Sequence, residues 1–254
     1  MTLPMLPRDG GLGILHRMFQ SIGLDIIRYP PRESLQWQLM RLFQQLDVNC
    51  VLDVGANHGQ YAGLLREWGY RGDIVSFEPV PEVFESLQRT MAGDARWRGH
   101  PWALGETDDE LEIHVANGDA RASSFLTFNA DGPARWGDDH RVARSTRVPV
   151  RRLDGVLDEV TRHVPSRRLY LKLDTQGFDL RVVAGAGERL GEVLALQTEI
   201  AAQHFYEGMV SFGDAFNRYH ALGYAITGMY PIARKHDGLQ IIEFDCVMIR
   251  ADRS

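Results

Sequence analysis

Apolar and polar positions change period along this chain in a repeating order. Residues 1 to about 30 hold Pro4, Pro7, Gly10, Gly11 and Gly13 around one amphipathic stretch at Leu15, Met18, Phe19 and Ile22. Such a leader can cap the rest of the chain or a second copy, which leaves a homodimer open. Pro30-Pro31 closes it, and Ser34 with Leu35, Leu39, Leu42, Phe43 and Leu46 at helical spacing predicts a helix packed on a sheet. Val51 to Val54 is a short apolar strand, Tyr61, Leu64, Leu65 and Trp68 mark a helix, and Ile74 to Phe77 is a second strand. A third strand and its exit loop fall at 97–104, and 111–116 alternates like an added strand. Periodicity then lapses over 117–147, which carries glycines, charges and the aromatics Phe125, Phe128 and Trp136, as suits an insertion or lid. Residues 148–150 lead into a helix from Leu153, followed by a strand at 169–173, a helix at 178–190, a strand at 193–200 and a helix at 212–222. Two extended segments, 224–232 and 241–249, flank a polar turn and predict an antiparallel pair.

That alternation predicts an α/β fold, a Rossmann-like, mostly parallel doubly wound sheet closed by an antiparallel C-terminal hairpin. The division reads as an N-terminal helical segment, 1–47, and one domain, 48–254, with the insertion or lid at about 117–147. At 254 residues, 44% hydrophobic and 24% charged, the chain supports one large core. A net charge of -6 with scattered arginines argues against a nucleic-acid partner. No apolar run of about eighteen residues predicts a membrane span, and no secretory apolar segment is present. Cys50 and Cys246 sit in apolar, strand-like settings and read as two buried thiols in a reducing compartment, so the expected location is cytoplasmic.

The first chemistry lies where strand turns to helix. Gly55 and Gly59 bracket Ala56-Asn57-His58, and Glu78 ends the second strand about twenty residues on, where a carboxylate can accept both hydroxyls of a ribose. A dinucleotide fingerprint has a central glycine that G-A-N-H-G lacks, which weakens a diphosphate ligand. Asn57 offers an amide suited to an amino-acid tail, and the combination points to S-adenosylmethionine (SAM), with NAD as the competitor. Asp53, inside the strand, is expected to order the glycine loop through hydrogen bonds. Val80, after Glu78-Pro79, is expected to line the adenosine pocket.

The ordered blocks DVGANHGQY, SFEPVPEVFESL, LYLKLDTQGFDLRVVAGAGERL and TEI resemble the FkbM family of SAM-dependent methyltransferases, over roughly Val51 to Ile200. The resemblance implies a class I methyltransferase fold, SAM as cofactor and transfer to a hydroxyl. It also implies adenine contact for the loop Trp102-Ala103-Leu104-Gly105. One position departs from the family pattern: Gln176 stands where a carboxylate is common. The expected acceptor is a small molecule or oligosaccharide, most concretely a sugar hydroxyl of a glycan, glycolipid or glycosylated metabolite. A polyketide or other small-molecule hydroxyl, an NAD-linked oxidoreductase and a non-catalytic SAM-binding protein are the alternatives.

For chemistry at the strand ends, Asp174 is expected to touch ligand, cofactor or metal, and Glu199 closes the next strand. A sugar hydroxyl is a poor acid. Either a histidine takes its proton, with His204, His58 and His140 as candidates, or a divalent cation such as Mg²⁺ or Mn²⁺ held by Asp174 and Glu199 lowers its pKa. The metal expectation assumes no strongly basic group beside the two carboxylates.

Overall fold

A computed structural model of the chain describes residues 11–25, 29–116, 123–127, 129, 142–235 and 238–253. In chain order these form α1 (Gly11–Ser21), α2 (Leu35–Gln45), β1 (Cys50–Val54), α3 (Gln60–Glu67), β2 (Asp73–Phe77), α4 (Pro81–Met91), β3 (Trp97–His100), β4 (Ala103–Leu104), β5 (Asp109–Ala116) and β6 (Val142–Arg151). There follow α5 (Leu153–Val160), β7 (Leu169–Leu173), α6 (Asp179–Ala186), a 3-10 turn (Gly187–Glu192), β8 (Val193–Ala201), α7 (Phe212–Ala221), β9 (Tyr224–Arg234), β10 (Ile241–Arg250) and a last 3-10 turn (Ala251–Arg253).

Strands β1 and β7 are buried from end to end, and β2 and β8 nearly so, because a parallel sheet is covered on both faces and its strands read as continuous apolar runs. The sheet has seven strands in the order β3-β2-β1-β7-β8-β10-β9. Only β10 runs against its neighbours: the last strand of the chain inserts antiparallel between β8 and β9. The predicted hairpin is thus an integral part of the sheet. On one face α2, α3 and α4 bury Leu39, Phe43, Leu65, Phe84 and Leu87 against Val51, Ile74 and Tyr170. On the other, α5, α6 and α7 bury Leu157, Val182, Ala186 and Tyr219 against Leu52, Leu171 and Leu196. Helix α2, capped by Ser34, whose hydroxyl accepts the Trp37 N–H at 3.2 Å, therefore belongs to the same core as the sheet. Helix α1 exposes Leu15 and Met18, and Ile22 just past its end is exposed as well.

Two features differ from the sequence expectation. Residues 142–147, read as the end of the insertion, are strand, and β6 pairs with β5 antiparallel and β4 parallel in a separate three-stranded sheet. Val148 is its anchor, packing with Ile113, Val115, Val80 and Val83 beside the N-terminus of α4. The helix expected over 178–190 stops at Ala186, because Gly187 adopts φ 51 and the chain tightens into the 3-10 turn. Most of the expected lid, with Trp136, Phe128 and His140, lies outside the described residues.

Candidate functional site

A row of polar side chains crosses the middle of an otherwise apolar sheet. Ser76, Asp53, Lys172 and Gln197 stand in register on β2, β1, β7 and β8, and all four are buried. Buried polar groups persist only where they are partnered. The Ser76 hydroxyl donates to Asp53 Oδ2 at 3.2 Å and accepts the Trp97 indole N–H at 3.0 Å. Lys172 Nζ lies 3.6 Å from Asp53 Oδ1 and donates to Asp174 Oδ2 at 3.0 Å. Gln197 Oε1 accepts the hydroxyls of Tyr61 (2.9 Å) and Tyr170 (3.1 Å), while its Nε2 donates to Asp245 Oδ1 at 2.6 Å. Burial pushes the Asp53 carboxyl up, against the pull of Lys172. Burial also disfavours the Lys172 ammonium, yet the carboxylates of Asp174, Asp53 and Glu199 outweigh it and hold the amine charged.

Above this row, at the C-terminal ends of the parallel strands, opens a cavity of about 450 Å³, within the range of small-molecule sites. One end is lined by Gly55, Asn57, Glu78, Pro79, Val80, Ala103 and Leu104. Glu78 is 6% exposed, and its two oxygens accept the backbone N–H groups of Asn57 (3.0 Å) and Val80 (2.9 Å). Burial pushes its carboxyl up to about 7, against those two hydrogen bonds. Each oxygen keeps a lone pair for a ligand hydroxyl. Gly55 has φ 77, and a Cβ there would run into the carbonyl oxygen of Asp174, so its glycine serves the approach of the β1 and β7 exits. Gly59 caps α3 with φ 90 and faces Leu87, away from the cavity. Asn57 directs its side-chain oxygen back to the His58 N–H (2.8 Å) and Gln60 Nε2 (3.1 Å). Asp53 does not line the cavity, and its carboxyl meets Ser76 and Lys172 rather than the glycine loop it was expected to order.

The other end gathers Asp174, Gln176, Glu199, Tyr206, Glu243 and Asp245. Gln176 Nε2 donates to Asp174 Oδ1 and to Glu199 Oε2, both at 3.0 Å, and its Oε1 accepts the Tyr206 hydroxyl at 3.1 Å. Beneath the loop, Asp179 accepts the Thr175 N–H at 2.9 Å and the Thr198 hydroxyl at 2.6 Å, which pins the turn after β7. Asp245 sits directly opposite Glu199 across the β8–β10 pair, where like charges repel. Burial first, then the carboxylates of Asp174, Glu243 and Asp245, push the Glu199 carboxyl well above the usual range, against the pull of Lys172. Burial and neighbouring carboxylates likewise raise Glu243 to about 8. The described part of the insertion reaches this end. Ser123, Ser124 and Phe125 line the cavity, the Ser124 hydroxyl donates to the Gln176 carbonyl at 2.8 Å, and the Glu207 N–H donates to the Thr127 carbonyl at 2.8 Å.

The pattern that defines the Methyltransferase FkbM domain matches residues 53–226, more than half of the chain. The chain belongs to the FkbM methyltransferase family. It is a SAM-dependent methyltransferase with the Rossmann-like fold described above. Among characterised relatives, it is similar to the 2-O-methyltransferase NoeI of Sinorhizobium fredii (strain NBRC 101917 / NGR234), with 27% identity over 207 residues, 80% of this chain and 84% of that protein. It is also similar to Methyltransferase 1 of Beauveria bassiana (strain ARSEF 2860), 25% identical over 148 residues, 55% of this chain and 59% of that one. Among solved structures, magnesium protoporphyrin IX methyltransferase (ChlM) from Synechocystis PCC 6803 with bound SAM matches with a TM-score of 0.44 and 10% identity, covering 98% of this chain and 100% of that chain.

In this FkbM enzyme the residues read from the sequence divide. Gly55, Asn57, Glu78, Pro79, Val80, Ala103, Leu104, Asp174 and Glu199 line one cavity. His58 and His204 do not: His58 stands beside the glycine turn with its ring half-buried, and His204 is exposed while its carbonyl accepts Asn129 Nδ2 at 2.8 Å. The cavity that would receive SAM fits it, since a buried carboxylate with open lone pairs stands over a glycine-lined turn. A divalent cation on Asp174 and Glu199 does not fit these donors. The assumption of no basic neighbour fails, because Lys172 lies 3.0 Å from Asp174 Oδ2, and the Gln176 amide N–H group occupies the inner oxygens of both acids. A hard cation needs those oxygens free. Among the described residues no group of three or more His, Cys, Asp or Glu is placed to hold a metal ion. The sequence reading gave no role to Lys172, Gln197, Glu243 or Asp245. Polar residues at inward positions of buried strands were the available signal, and only the strand register shows which of them meet.

Proposed function

We propose that the chain is a SAM-dependent O-methyltransferase acting on a hydroxyl of a sugar, either free, in an oligosaccharide or on a glycosylated metabolite. The observation that carries the reading is the cluster of carboxylates at the cavity end opposite Glu78, set where an acceptor must enter. SAM, when bound, supplies a methyl group on a sulfonium centre. The residues of the chain have three tasks: to hold the nucleoside, to hold the acceptor in line and to take its proton. Glu78 receives the ribose hydroxyls, and Val80, Ala103 and Leu104 receive the adenine. Glu199 takes the acceptor proton, because burial and the carboxylates of Asp174, Glu243 and Asp245 favour its protonated form and so make the ionised group a stronger proton acceptor. Asp174, paired to Lys172, orients the hydroxyl. Tyr206, Phe205 and Phe125 offer the aromatic walls on which a sugar ring stacks. The similarity to a protein named as a 2-O-methyltransferase supports transfer to oxygen. A polyketide or other small-molecule hydroxyl would use the same groups.

We further assign the described part of the insertion, residues 123–127, to the wall of the acceptor end, on the support of Ser124 and Phe125 at the cavity. The two free, buried thiols, Cys50 and Cys246, fit a reducing compartment, and we place the protein in the cytoplasm. No helix among the described residues is long and apolar enough to cross a membrane. Incubation with methyl-labelled SAM and a panel of mono- and oligosaccharides tests the reading. Label should appear as a base-stable methyl ether on sugar. Label in a polyketide alcohol but in no sugar would reassign the acceptor, and NAD binding with no SAM binding would overturn the reading.

A further inference from the structure

Gln176 makes contacts at the acceptor end that the proposed reaction has not yet used. Its amide nitrogen stands 3.0 Å from Asp174 Oδ1 and 3.0 Å from Glu199 Oε2, so one neutral group donates to two carboxylates, one just past the end of β7 and one on β8. The Tyr206 hydroxyl, donating to Oε1 at 3.1 Å, sets the orientation of that amide. Turned over, the amide would aim its oxygen at two acids and lose its partner. The backbone is held as well: Gln176 has φ 51, a conformation residues with side chains rarely adopt, and the Ser124 hydroxyl donates to its carbonyl at 2.8 Å. Lys172, 3.0 Å from Asp174 Oδ2, places a positive charge on the far side of the same carboxylate.

We propose that Gln176 is a positioning residue that fixes Asp174 and Glu199 on a shared neutral donor, in the place a bridging divalent cation would need, so that this site works without metal. The inference rests on the reading that these two acids face the acceptor hydroxyl. A bridging cation would have to meet oxygens aimed into the gap between the acids, and there those oxygens meet N–H groups. The charge such a cation would supply already comes from the Lys172 ammonium. Gln176 thereby links three segments, the turn after β7, strand β8 and the loop carrying Tyr206, and through Ser124 it joins the insertion to them.

The test titrates Mn²⁺, read by electron paramagnetic resonance, into the full-length wild-type protein and into Gln176→Glu and Gln176→Asn, each with S-adenosylhomocysteine bound. Methyl transfer from labelled SAM to the sugar panel is followed in parallel, with and without EDTA. Wild type should bind no Mn²⁺ saturably and should ignore EDTA. Gln176→Glu, which exchanges the donor for a third carboxylate, should gain saturable Mn²⁺ binding. Gln176→Asn suits the same backbone but is too short to reach both acids, and should lower kcat about 100-fold with SAM affinity unchanged. Wild-type Mn²⁺ binding that disappears in Asp174→Asn would overturn the proposal, as would a wild-type kcat in Gln176→Asn. Should Gln176→Glu fail to fold, the wild-type titration and Gln176→Asn still decide. Absence of methyl transfer to any sugar, together with absent Mn²⁺ binding in wild type and gained binding in Gln176→Glu, would remove the sugar reading while supporting the role of Gln176.

Discussion

The two ends of the cavity satisfy their charges by different means. At the cofactor end one carboxylate, Glu78, is answered by backbone N–H groups of its own βαβ unit, from Asn57 and from Val80 two residues on. At the acceptor end Asp174, Glu199, Glu243 and Asp245 converge from the turn after β7, from β8 and from β10, and the groups that answer Asp174, Glu199 and Asp245 are side chains: Lys172, Gln176 and Gln197. A backbone cradle is built by local chain geometry and holds one shape. A side-chain cluster depends on strand register, concentrates like charge and titrates. The first arrangement suits a cofactor that is always the same. The second suits proton transfer.

If that division is right, substitutions at the two ends should separate turnover from affinity. The largest effect is expected for Glu199→Gln, which removes the proton acceptor and should lower kcat about 100- to 10,000-fold, with SAM affinity by calorimetry near that of wild type. Weak SAM binding with intact turnover at saturation would erase the distinction between the ends. Next in size, Lys172→Met strands Asp53, which is fully buried, and should cost about 3–5 kcal/mol of stability in urea unfolding. A loss below about 1 kcal/mol would mean that Asp53 is protonated in the folded protein and that the polar row does not depend on the ammonium. Glu78→Ala should weaken SAM by about 1–3 kcal/mol, since ribose hydroxyls lose their acceptor. An unchanged Kd would remove Glu78 from the cofactor site.

The smallest expected effect is a pH trend in the ligand-free protein. Glu78 and Glu243 titrate at about 7 and about 8 when folded, against 4.5 when free. Between those values the folded state holds protons the unfolded chain has lost. Stability from these groups is therefore fully present below pH 4.5 and is lost as pH rises through 7 and then 8. Melting temperature should fall across that window, and Glu243→Gln should flatten its upper part while leaving the part due to Glu78. A melting temperature independent of pH in wild type would contradict the burial of both carboxyls.

That Gly55, Asn57 and Glu78 come together at one end of the cavity was legible because the information is local. Gly55, Asn57 and Glu78 lie in one strand–turn–helix–strand unit, and the spacing that signals a nucleoside site also builds it. Of the candidate histidines, His140 lies outside the described residues, and His58 and His204 do not line the cavity. Histidine chemistry is conspicuous in a sequence, but His204 follows a strand end on the exposed side of its loop, and the adjoining Phe205 and Tyr206 turn inward instead. Lys172 was hidden among the apolar residues of β7, where a single basic residue gives no periodic signal.

By itself the sequence determined the order of most elements, the parallel sheet and the glycine turn after β1, since hydrophobic period and glycine placement act over a few residues at a time. Tertiary structure alone decided that β10 enters between β8 and β9, bringing Glu243 and Asp245 to the cavity. It also decided that Asp53, Lys172 and Gln197 share one register, and that Gln176 lies between two acids 2 and 23 residues away. The reason is that register and strand insertion depend on the packing of the whole sheet. A carboxylate becomes a base, a counter-ion or a metal ligand only through neighbours that distant parts of the chain supply.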